Sequence, residues 1–212
     1  MIRLSGLYAI TPEVPATGSP LATQVEQAIA GGARLVQYRN KGEDSLQRLR
    51  EAQALLAVCH SAGVPLIVND DLELAARIGA DGVHLGKDDA NPREARRRLG
   101  PRAIIGVSCY DRLEDALRAQ KVGADYAAFG RFFPSSTKPL AVQATPALLS
   151  RARERLTLPL VAIGGVTPEN GRSLISAGAD MLAVVDGVFG QPDIHAAAAA
   201  FNNLFLDGDC DP

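Results

Sequence analysis

Several residue types are scarce in this chain, and each scarcity argues against a class of protein. Tryptophan is absent and aromatic residues make up 5% of the sequence, which argues against a stacking platform for carbohydrate or single-stranded nucleic acid. The net charge is −2, so neither a nucleic-acid-binding footprint nor attraction to a membrane surface is indicated. No apolar run approaches the length of a membrane span, and we expect no signal peptide because no basic region precedes a long apolar run near the first residues.

Cysteine is also scarce. Cys59, Cys109 and Cys210 are widely spaced and lack the paired spacing of metal ligands. We interpret them as reduced thiols of a cytoplasmic protein, and we expect Cys109 to pack rather than to react. No Ser/His/Asp set, Cys/His pair or metal-binding His pair is visible, and His84 falls within a predicted strand, where a satisfied barrel residue is expected rather than a catalyst.

A short phrase recurs along the chain, in which Gly and a small residue, often followed by Asp, precede a short apolar run. Gly79, Gly123 and Gly178 begin such phrases, and Gly commonly ends a helix. The runs show little polar alternation, as in parallel strands that are buried on both faces. Together with five further runs, the predicted strands are Leu7–Ile10, Leu35–Tyr38, Leu66–Asn69, Gly82–Leu85, Ile104–Ser108, Tyr126–Phe129, Leu160–Ile163 and Met181–Val185.

Helical patterns lie between these runs. Residues 45–61 carry one apolar stripe with Ser45 as the expected N-cap, and Asp111 is the expected N-cap of a later helix. Prolines stand where first helical turns are expected, at Pro92, Pro146 and Pro168. Eight strand–helix units in 212 residues predict an α/β fold, a closed (β/α)8 TIM barrel in a single domain over 1–206, with a polar tail at 207–212. An open doubly wound sheet is the alternative, but no Gly-x-Gly-x-x-Gly turn follows the first strand.

Polar residues cluster where the predicted strands end, and in a barrel these carboxyl ends converge on one pocket. Cations follow the second strand, and carboxylates follow the third and fourth. Two carboxylates without a neighbouring base or thiol suit a hard cation with oxygen ligands, most simply Mg²⁺. We therefore predict Asp70 and Asp89 as its ligands. Asp71 and Asp88 also precede helices, and for them we expect a helix N-cap or a solvated position.

Two loops on the same face offer anion sites. Residues 130–138, Gly-Arg-Phe-Phe-Pro-Ser-Ser-Thr-Lys, supply backbone N–H groups, hydroxyls and a cation after the sixth strand. Gly164 and Gly165 after the seventh strand let the backbone approach a ligand closely, and barrels often bind phosphate there. The connections at 11–20 and 130–144 are long, and either is a candidate lid.

Taken together in register, these motifs resemble the thiamine phosphate synthase family over nearly the whole chain. The resemblance is carried by Gln37-Tyr38-Arg39-Asn40-Lys41, Asn69-Asp70-Asp71, Gly82-Val83-His84-Leu85-Gly86, the loop 130–138 and Ala162-Ile163-Gly164-Gly165. It implies a (β/α)8 barrel that joins 4-amino-2-methyl-5-hydroxymethylpyrimidine diphosphate to 4-methyl-5-(2-hydroxyethyl)thiazole phosphate. Thiamine phosphate and diphosphate would form by a dissociative substitution assisted by one Mg²⁺ per subunit.

The resemblance also implies which residues form the site. The pyrimidine diphosphate would be held by Gln37, Tyr38, Arg39, Asn40, Lys41, Asn69, Ser108 and Lys138, of which Arg39, Lys41, Ser108 and Lys138 would be catalytic. The thiazole phosphate would be held by Ser135, Ser136, Thr137, Gly165, Val185 and Asp186, and Mg²⁺ by Asp70 and Asp89. Small-molecule substrates are the expected partners, without nucleic acid or membrane, and homo-oligomerisation is left open.

Three positions bear on the alternatives. Lys87 stands where the family commonly has Gln, which adds a cation near the metal. Asp186 stands where Ser is usual, and its carboxylate would repel a phosphate unless the phosphate meets only the backbone N–H. Thiazole tautomerases, which are relatives of this family, have a catalytic His near the place of Arg131, and Arg cannot shuttle a proton at neutral pH. The alternatives are a tautomerase-like enzyme on the same barrel and a non-catalytic thiamine-phosphate-binding protein.

Overall fold

A computed structural model describes residues 4–13, 19–87, 89–134 and 142–206 of the 212. Eight parallel strands close into a barrel in chain order, which confirms the predicted (β/α)8 fold. The strands are β1 (Gly6–Ile10), β2 (Ala33–Tyr38), β3 (Leu66–Asn69), β4 (Gly82–Leu85), β5 (Ile104–Tyr110), β6 (Tyr126–Gly130), β7 (Leu160–Ile163) and β8 (Met181–Val184). The helices are α1 (Leu21–Ala30), α2 (Ser45–Ser61), α3 (Leu72–Ile78), α4 (Pro92–Leu99), α5 (Leu113–Lys121), α6 (Pro146–Arg155), α7 (Pro168–Ser176), α8 (Asp186–Phe189) and α9 (Ile194–Leu206).

The predicted element boundaries hold closely, apart from two helix caps. Prolines open three helices as predicted, at Pro92, Pro146 and Pro168. The prediction of Ser45 as a cap is wrong, because Asp44 precedes α2 and its carboxylate accepts two backbone N–H groups of the first turn, each at 2.9 Å. The prediction of Asp111 is also wrong, because Arg112 occupies the cap position of α5 and makes no side-chain cap bond.

Side chains along each strand alternate between two cores. The core inside the barrel contains Tyr8, Ile10, Leu35, Ile67, Ile104, Tyr126, Ala128, Val161, Met181 and Ala183. The intervening residues, such as Val36, pack outward against the helices. Because successive side chains of a strand point to opposite faces, β2 turns Gln37 inward with Leu35 and turns Tyr38 outward with Val36. This alternation decides which strand-end residues reach the pocket.

The amino-terminal end of the barrel carries a repeated aspartate. Asp81, Asp125 and Asp180 precede β4, β6 and β8, and each carboxylate accepts a backbone N–H from the strand before, at 2.7 to 2.8 Å. Each also contacts a basic side chain of a neighbouring helix, and these partners are His60, Arg96 and Arg153. Gly79, which begins the first of these phrases, ends α3 in the left-handed conformation at φ 70°. The Gly-Ala-Asp phrase therefore joins neighbouring strands at the end opposite to the predicted site.

The cysteines that the structure describes are in the core. Cys59 and Cys109 are free and buried, and burial raises the pKa of each thiol to about 12. This placement fits the packing role expected of Cys109. Cys210 and the predicted tail at 207–212 lie outside the described residues. Within the residues that the structure describes, no helix is long and apolar enough to cross a membrane.

Candidate active site

Two carboxyl groups meet at the ends of β3 and β4. Asp70 adopts φ of 60°, a left-handed conformation that Asp tolerates, and its backbone N–H donates to the carbonyl of His84 at 2.8 Å. Asp89 accepts the backbone N–H of Gly86 at 2.6 Å, and its carboxyl lies beside that of Asp70. Burial and the Asp70 carboxylate raise the pKa of Asp89, as expected where two like charges face each other.

The other two aspartates of these loops were expected to be helix caps or solvated. Asp71 accepts the backbone N–H of Leu74 at 2.8 Å and so caps α3. Its carboxylate also pairs with Arg48 of α2. The capping role of Asp71 is therefore confirmed, whereas Asp88 lies outside the described residues.

The cations that follow β2 lie at the same end of the barrel. Lys41 Nζ is 3.5 Å from Asp70 Oδ2, so the lysine adjoins the carboxylate pair. Arg39 Nη1 is 2.7 Å from Glu13 Oε1, in the loop after β1. The backbone N–H of Arg39 donates to the hydroxyl of Thr11 at 2.9 Å, and Thr11 is fully buried. Sequence reasoning missed Thr11 and Glu13, which hold Arg39 from the neighbouring loop.

Tyr38 and Asn40 have a different partner. Their side chains donate to Glu51 Oε2 on α2, at 2.7 Å and 2.9 Å. Gln47 donates to the other carboxylate oxygen of Glu51 at 2.8 Å. Burial acts to raise the pKa of Glu51, but these hydrogen bonds lower it below its ordinary value. The two side chains thus fix the loop after β2 from outside the barrel, and their contact with a substrate stays a prediction.

A chain of hydrogen bonds crosses the interior of the barrel. Gln37 Nε2 donates to the Tyr8 hydroxyl at 2.6 Å, and the hydroxyls of Tyr8 and Tyr126 are 2.7 Å apart. His84 joins this chain through Nδ1, 2.9 Å from the Tyr126 hydroxyl, and through Nε2, 2.8 Å from Ser108 Oγ. His84 is therefore a satisfied barrel residue, as predicted. The chain links two predicted site residues, Gln37 and Ser108.

The start of the loop after β6 packs on the two glycines that follow β7. The backbone N–H of Phe133 donates to the carbonyl of Gly164 at 3.0 Å. A Cβ on Gly164 would lie 2.3 Å from Arg131 Cβ, and one on Gly165 would lie 2.2 Å from the carbonyl oxygen of Pro134. Both glycines also have positive φ, of 100° and 64°. The close packing of the loop after β6 therefore requires glycine at both positions. Their contact with phosphate stays a prediction.

Two residues predicted to hold the thiazole phosphate, Gly165 and Val185, lie just beyond the neighbouring ends of β7 and β8. Ile163 pairs with Ala183 across the two strands, so Gly165 and Val185 each lie two residues beyond a paired position. Asp186 begins α8 and is exposed. The remaining predicted residues of the two anion sites, Ser135, Ser136, Thr137 and Lys138, lie outside the described residues.

A comparison with models of protein families tests the family membership that the motifs indicated. The model described as thiamine monophosphate synthase matches residues 7–188. The chain belongs to the thiamine monophosphate synthase family. It is 56% identical over 200 residues to the thiamine-phosphate synthase of Thiobacillus denitrificans, covering 94% of each chain. It is 51% identical over 202 residues to the thiamine-phosphate synthase of Nitrosococcus oceani, covering 95% of this chain and 93% of the relative.

A solved structure agrees with this relationship. The barrel matches the thiamine phosphate pyrophosphorylase of Pyrococcus furiosus with a TM-score of 0.84 and 31% identity, over 95% of this chain and 96% of that one. The family predicted from the motifs is therefore confirmed. In this member of the thiamine monophosphate synthase family, two of the predicted site residues, Gln37 and Ser108, bond inside the barrel. Three others lie close together at its rim, and these are Lys41, Asp70 and Asp89.

Proposed function

We propose that this chain is a thiamine phosphate synthase that couples the aminopyrimidine diphosphate to the thiazole phosphate and releases diphosphate. The observation that carries the proposal is the cluster of Lys41, Asp70 and Asp89, in which a cation adjoins two neighbouring carboxyls at the strand ends. A site of that composition suits a diphosphate that arrives with a divalent cation. The relative with 56% identity over 94% of both chains supports this choice of reaction.

The leaving diphosphate gains negative charge as its C–O bond breaks, and preorganised cations stabilise that charge. Lys41 and Arg39 would serve this role, because each already pairs with a carboxylate that a diphosphate oxygen can replace. Ser108 would donate a hydrogen bond, and Lys138 would complete the set. The electron-rich aminopyrimidine would stabilise the methylene cation, and the thiazole nitrogen would attack with its own lone pair. No protein base is needed.

The carboxylate pair fits a hard divalent cation. Asp70 and Asp89 lie side by side, and burial together with the Asp70 carboxylate raises the pKa of Asp89; a bound cation would relieve the repulsion between the two carboxylates. No group of three or more His, Cys, Asp or Glu side chains that could hold a metal is found among the described residues. Asp70 and Asp89 would hold one Mg²⁺ together with water and substrate oxygens, as Mg²⁺ commonly binds. When bound, it would neutralise charge on the diphosphate.

The thiazole phosphate would lie over the ends of β7 and β8. Gly165, Val185 and Asp186 would offer backbone N–H groups, with Ser135 to Thr137 contributing from the loop after β6. Asp186 begins α8, and the phosphate would meet its backbone N–H rather than its carboxylate, because two negative groups repel each other. We further propose a single catalytic domain and a cytoplasmic location, with small molecules as partners, and gel filtration would determine the oligomeric state.

A coupling assay tests the proposal. Purified protein is mixed with both substrates, with and without Mg²⁺, and we expect thiamine phosphate and diphosphate in equal amounts only with the metal. Asp70→Asn should abolish coupling while the barrel stays folded. Asp71→Asn is the matched control, because this neighbouring carboxylate caps α3 and contacts Arg48, so its loss should affect stability but not metal dependence.

Two outcomes would contradict the proposal. The first is turnover by Asp70→Asn at the parent rate. The second is a folded parent that forms no product with fresh Mg²⁺, and a thiazole tautomerase assay without metal or pyrimidine would then be run. Activity in that second assay would assign the chain to the tautomerase alternative.

A further inference from the structure

Five polar side chains form one continuous path through the barrel. The path runs from Gln37 through Tyr8, Tyr126 and His84 to Ser108, with hydrogen bonds of 2.6 to 2.9 Å. Tyr8 is 1% exposed and Tyr126 is fully buried. Burial raises the pKa of both hydroxyls, so each keeps its proton at neutral pH. Each tyrosine therefore has one proton to donate and lone pairs to accept.

The packing around Tyr126 keeps this path in place. Its ring stacks on His84 with centroids 5.6 Å apart, and it meets the edge of Tyr8 at 5.8 Å and 87°. The opposite wall is Gly106 of β5, where a Cβ would lie 1.9 Å from Tyr126 Cζ. Only a residue without a side chain lets the tyrosine reach both Tyr8 and His84. The polar path is thus built into the packing of β1, β4, β5 and β6.

With His84 as a neutral imidazole, which donates from one nitrogen and accepts at the other, such a path has two consistent directions of donation. In the first direction, Gln37 Nε2 donates to Tyr8, and the protons of Tyr8, Tyr126 and His84 all point toward Ser108. The hydroxyl proton of Ser108 then points away from His84. In the reverse direction Ser108 donates to His84, and the amide of Gln37 must turn to present its oxygen to Tyr8. The Gln37 amide and the Ser108 proton are therefore coupled.

We propose that Tyr8, Tyr126 and His84 are positioning residues that fix this direction and thereby make the site select a 4-aminopyrimidine ring. The inference rests on the proposed function. A diphosphate at Ser108 requires a donor, which selects the first direction. Gln37 then offers its Oε1 beside its second N–H, which complements an exocyclic amino group beside a ring nitrogen. A 4-oxo ring with a protonated nitrogen presents the opposite pattern.

Measuring the binding of the pyrimidine diphosphate alone tests this positioning role without the chemical step. Calorimetry would measure the Kd of the 4-aminopyrimidine diphosphate and of its 4-oxo analogue, in Mg²⁺ buffer, for the parent and for Tyr126→Phe. The parent should prefer the amino ring. Tyr126→Phe cuts the path between Gln37 and Ser108, and since a buried hydrogen bond is worth about tenfold in an equilibrium, the preference should fall about tenfold.

Tyr110→Phe is the matched control, because it removes the same hydroxyl from a side chain that is 38% exposed. It should keep the preference of the parent. An unchanged preference in folded Tyr126→Phe would overturn the inference, as would an equal loss of affinity for both rings, which a merely structural role predicts. If Tyr126→Phe does not fold, Tyr8→Phe cuts the path one bond nearer to Gln37 and gives the same test.

The coupling assay tests the proposed function, and the binding preference tests the role of the path, so the two can fail independently. A parent that binds the amino ring selectively but makes no thiamine phosphate would contradict the proposed function and support the role of the path. A parent that couples both substrates, with variants that keep its preference, would overturn only the role of the path.

Discussion

Replacing Gly106 with alanine should disrupt the polar path without removing any group that bonds in it. The added Cβ would lie 1.9 Å from Cζ and 2.2 Å from the hydroxyl oxygen of Tyr126, whereas ordinary contact begins at 3.4 Å. The ring must therefore move by about 1.5 Å, which breaks its bonds to Tyr8 and His84. Overpacking costs about 1–3 kcal/mol and each buried hydrogen bond contributes about 1 kcal/mol. We expect the free energy of unfolding to fall by about 4 kcal/mol.

Thermal unfolding measures this loss against a control. Gly123→Ala adds a Cβ that meets nothing within 4 Å, at φ of 89°, so only backbone strain of about 1–2 kcal/mol opposes it. For a domain of this length, a loss of about 4 kcal/mol lowers Tm by roughly 8–16 °C. In a Tyr126→Leu background, Gly106→Ala has no ring to displace and should cost much less, as a double-mutant cycle would report. Equal Tm losses for Gly106→Ala and Gly123→Ala would refute the reasoning.

Three further predictions concern carboxylates. Hydrogen bonds lower the pKa of Glu51 in the folded state. The stability that its carboxylate contributes is therefore present at neutral pH and is lost as the pH falls through that lowered pKa. Urea unfolding should show that Glu51→Gln is less stable than the parent at pH 7, and that this difference shrinks in acid. Mg²⁺ should raise the Tm of the parent but not that of Asp89→Asn, measured by scanning calorimetry. Asp180→Asn weakens bonds to the N–H of Leu160 and to Arg153, so denaturant unfolding should show a loss of about 1–2 kcal/mol with kcat unchanged.

The barrel could be predicted from the sequence because its signals are local. Short apolar runs that follow Gly mark strands buried on both faces, and prolines mark first helical turns. The cap of α2 could not be predicted to the residue, because Asp44 and Ser45 are both good caps and the backbone decides between them. Asp44 has φ −72° and ψ 95°, in the extended region that an N-cap adopts, whereas Ser45 is already helical.

The site was predictable in part. Gln37 to Lys41 form one continuous motif in the sequence, but the alternation of β2 divides it, so that Gln37 bonds inside the barrel while Tyr38 bonds to Glu51 on α2. The alternation of side chains along a strand can be read from the sequence, and it would have placed Gln37 and Tyr38 on opposite faces of β2. The contact between Tyr8 and Tyr126 could not be predicted from the sequence, because it joins residues 118 positions apart and depends on how the barrel closes.

The two ends of the barrel use the same residue type for different purposes, and the partners of each carboxylate show the difference. At the amino-terminal end, Asp81, Asp125 and Asp180 each accept a strand N–H and contact a basic side chain. Such carboxylates are compensated and stabilise the fold. At the carboxyl end, Asp89 accepts the N–H of Gly86 and Asp70 adjoins Lys41, but the two carboxyls also lie beside each other, and burial together with the Asp70 carboxylate raises the pKa of Asp89. The divalent cation that we propose for Asp70 and Asp89 would offset this repulsion, which is the physical reason to expect that the Tm of the parent depends on Mg²⁺.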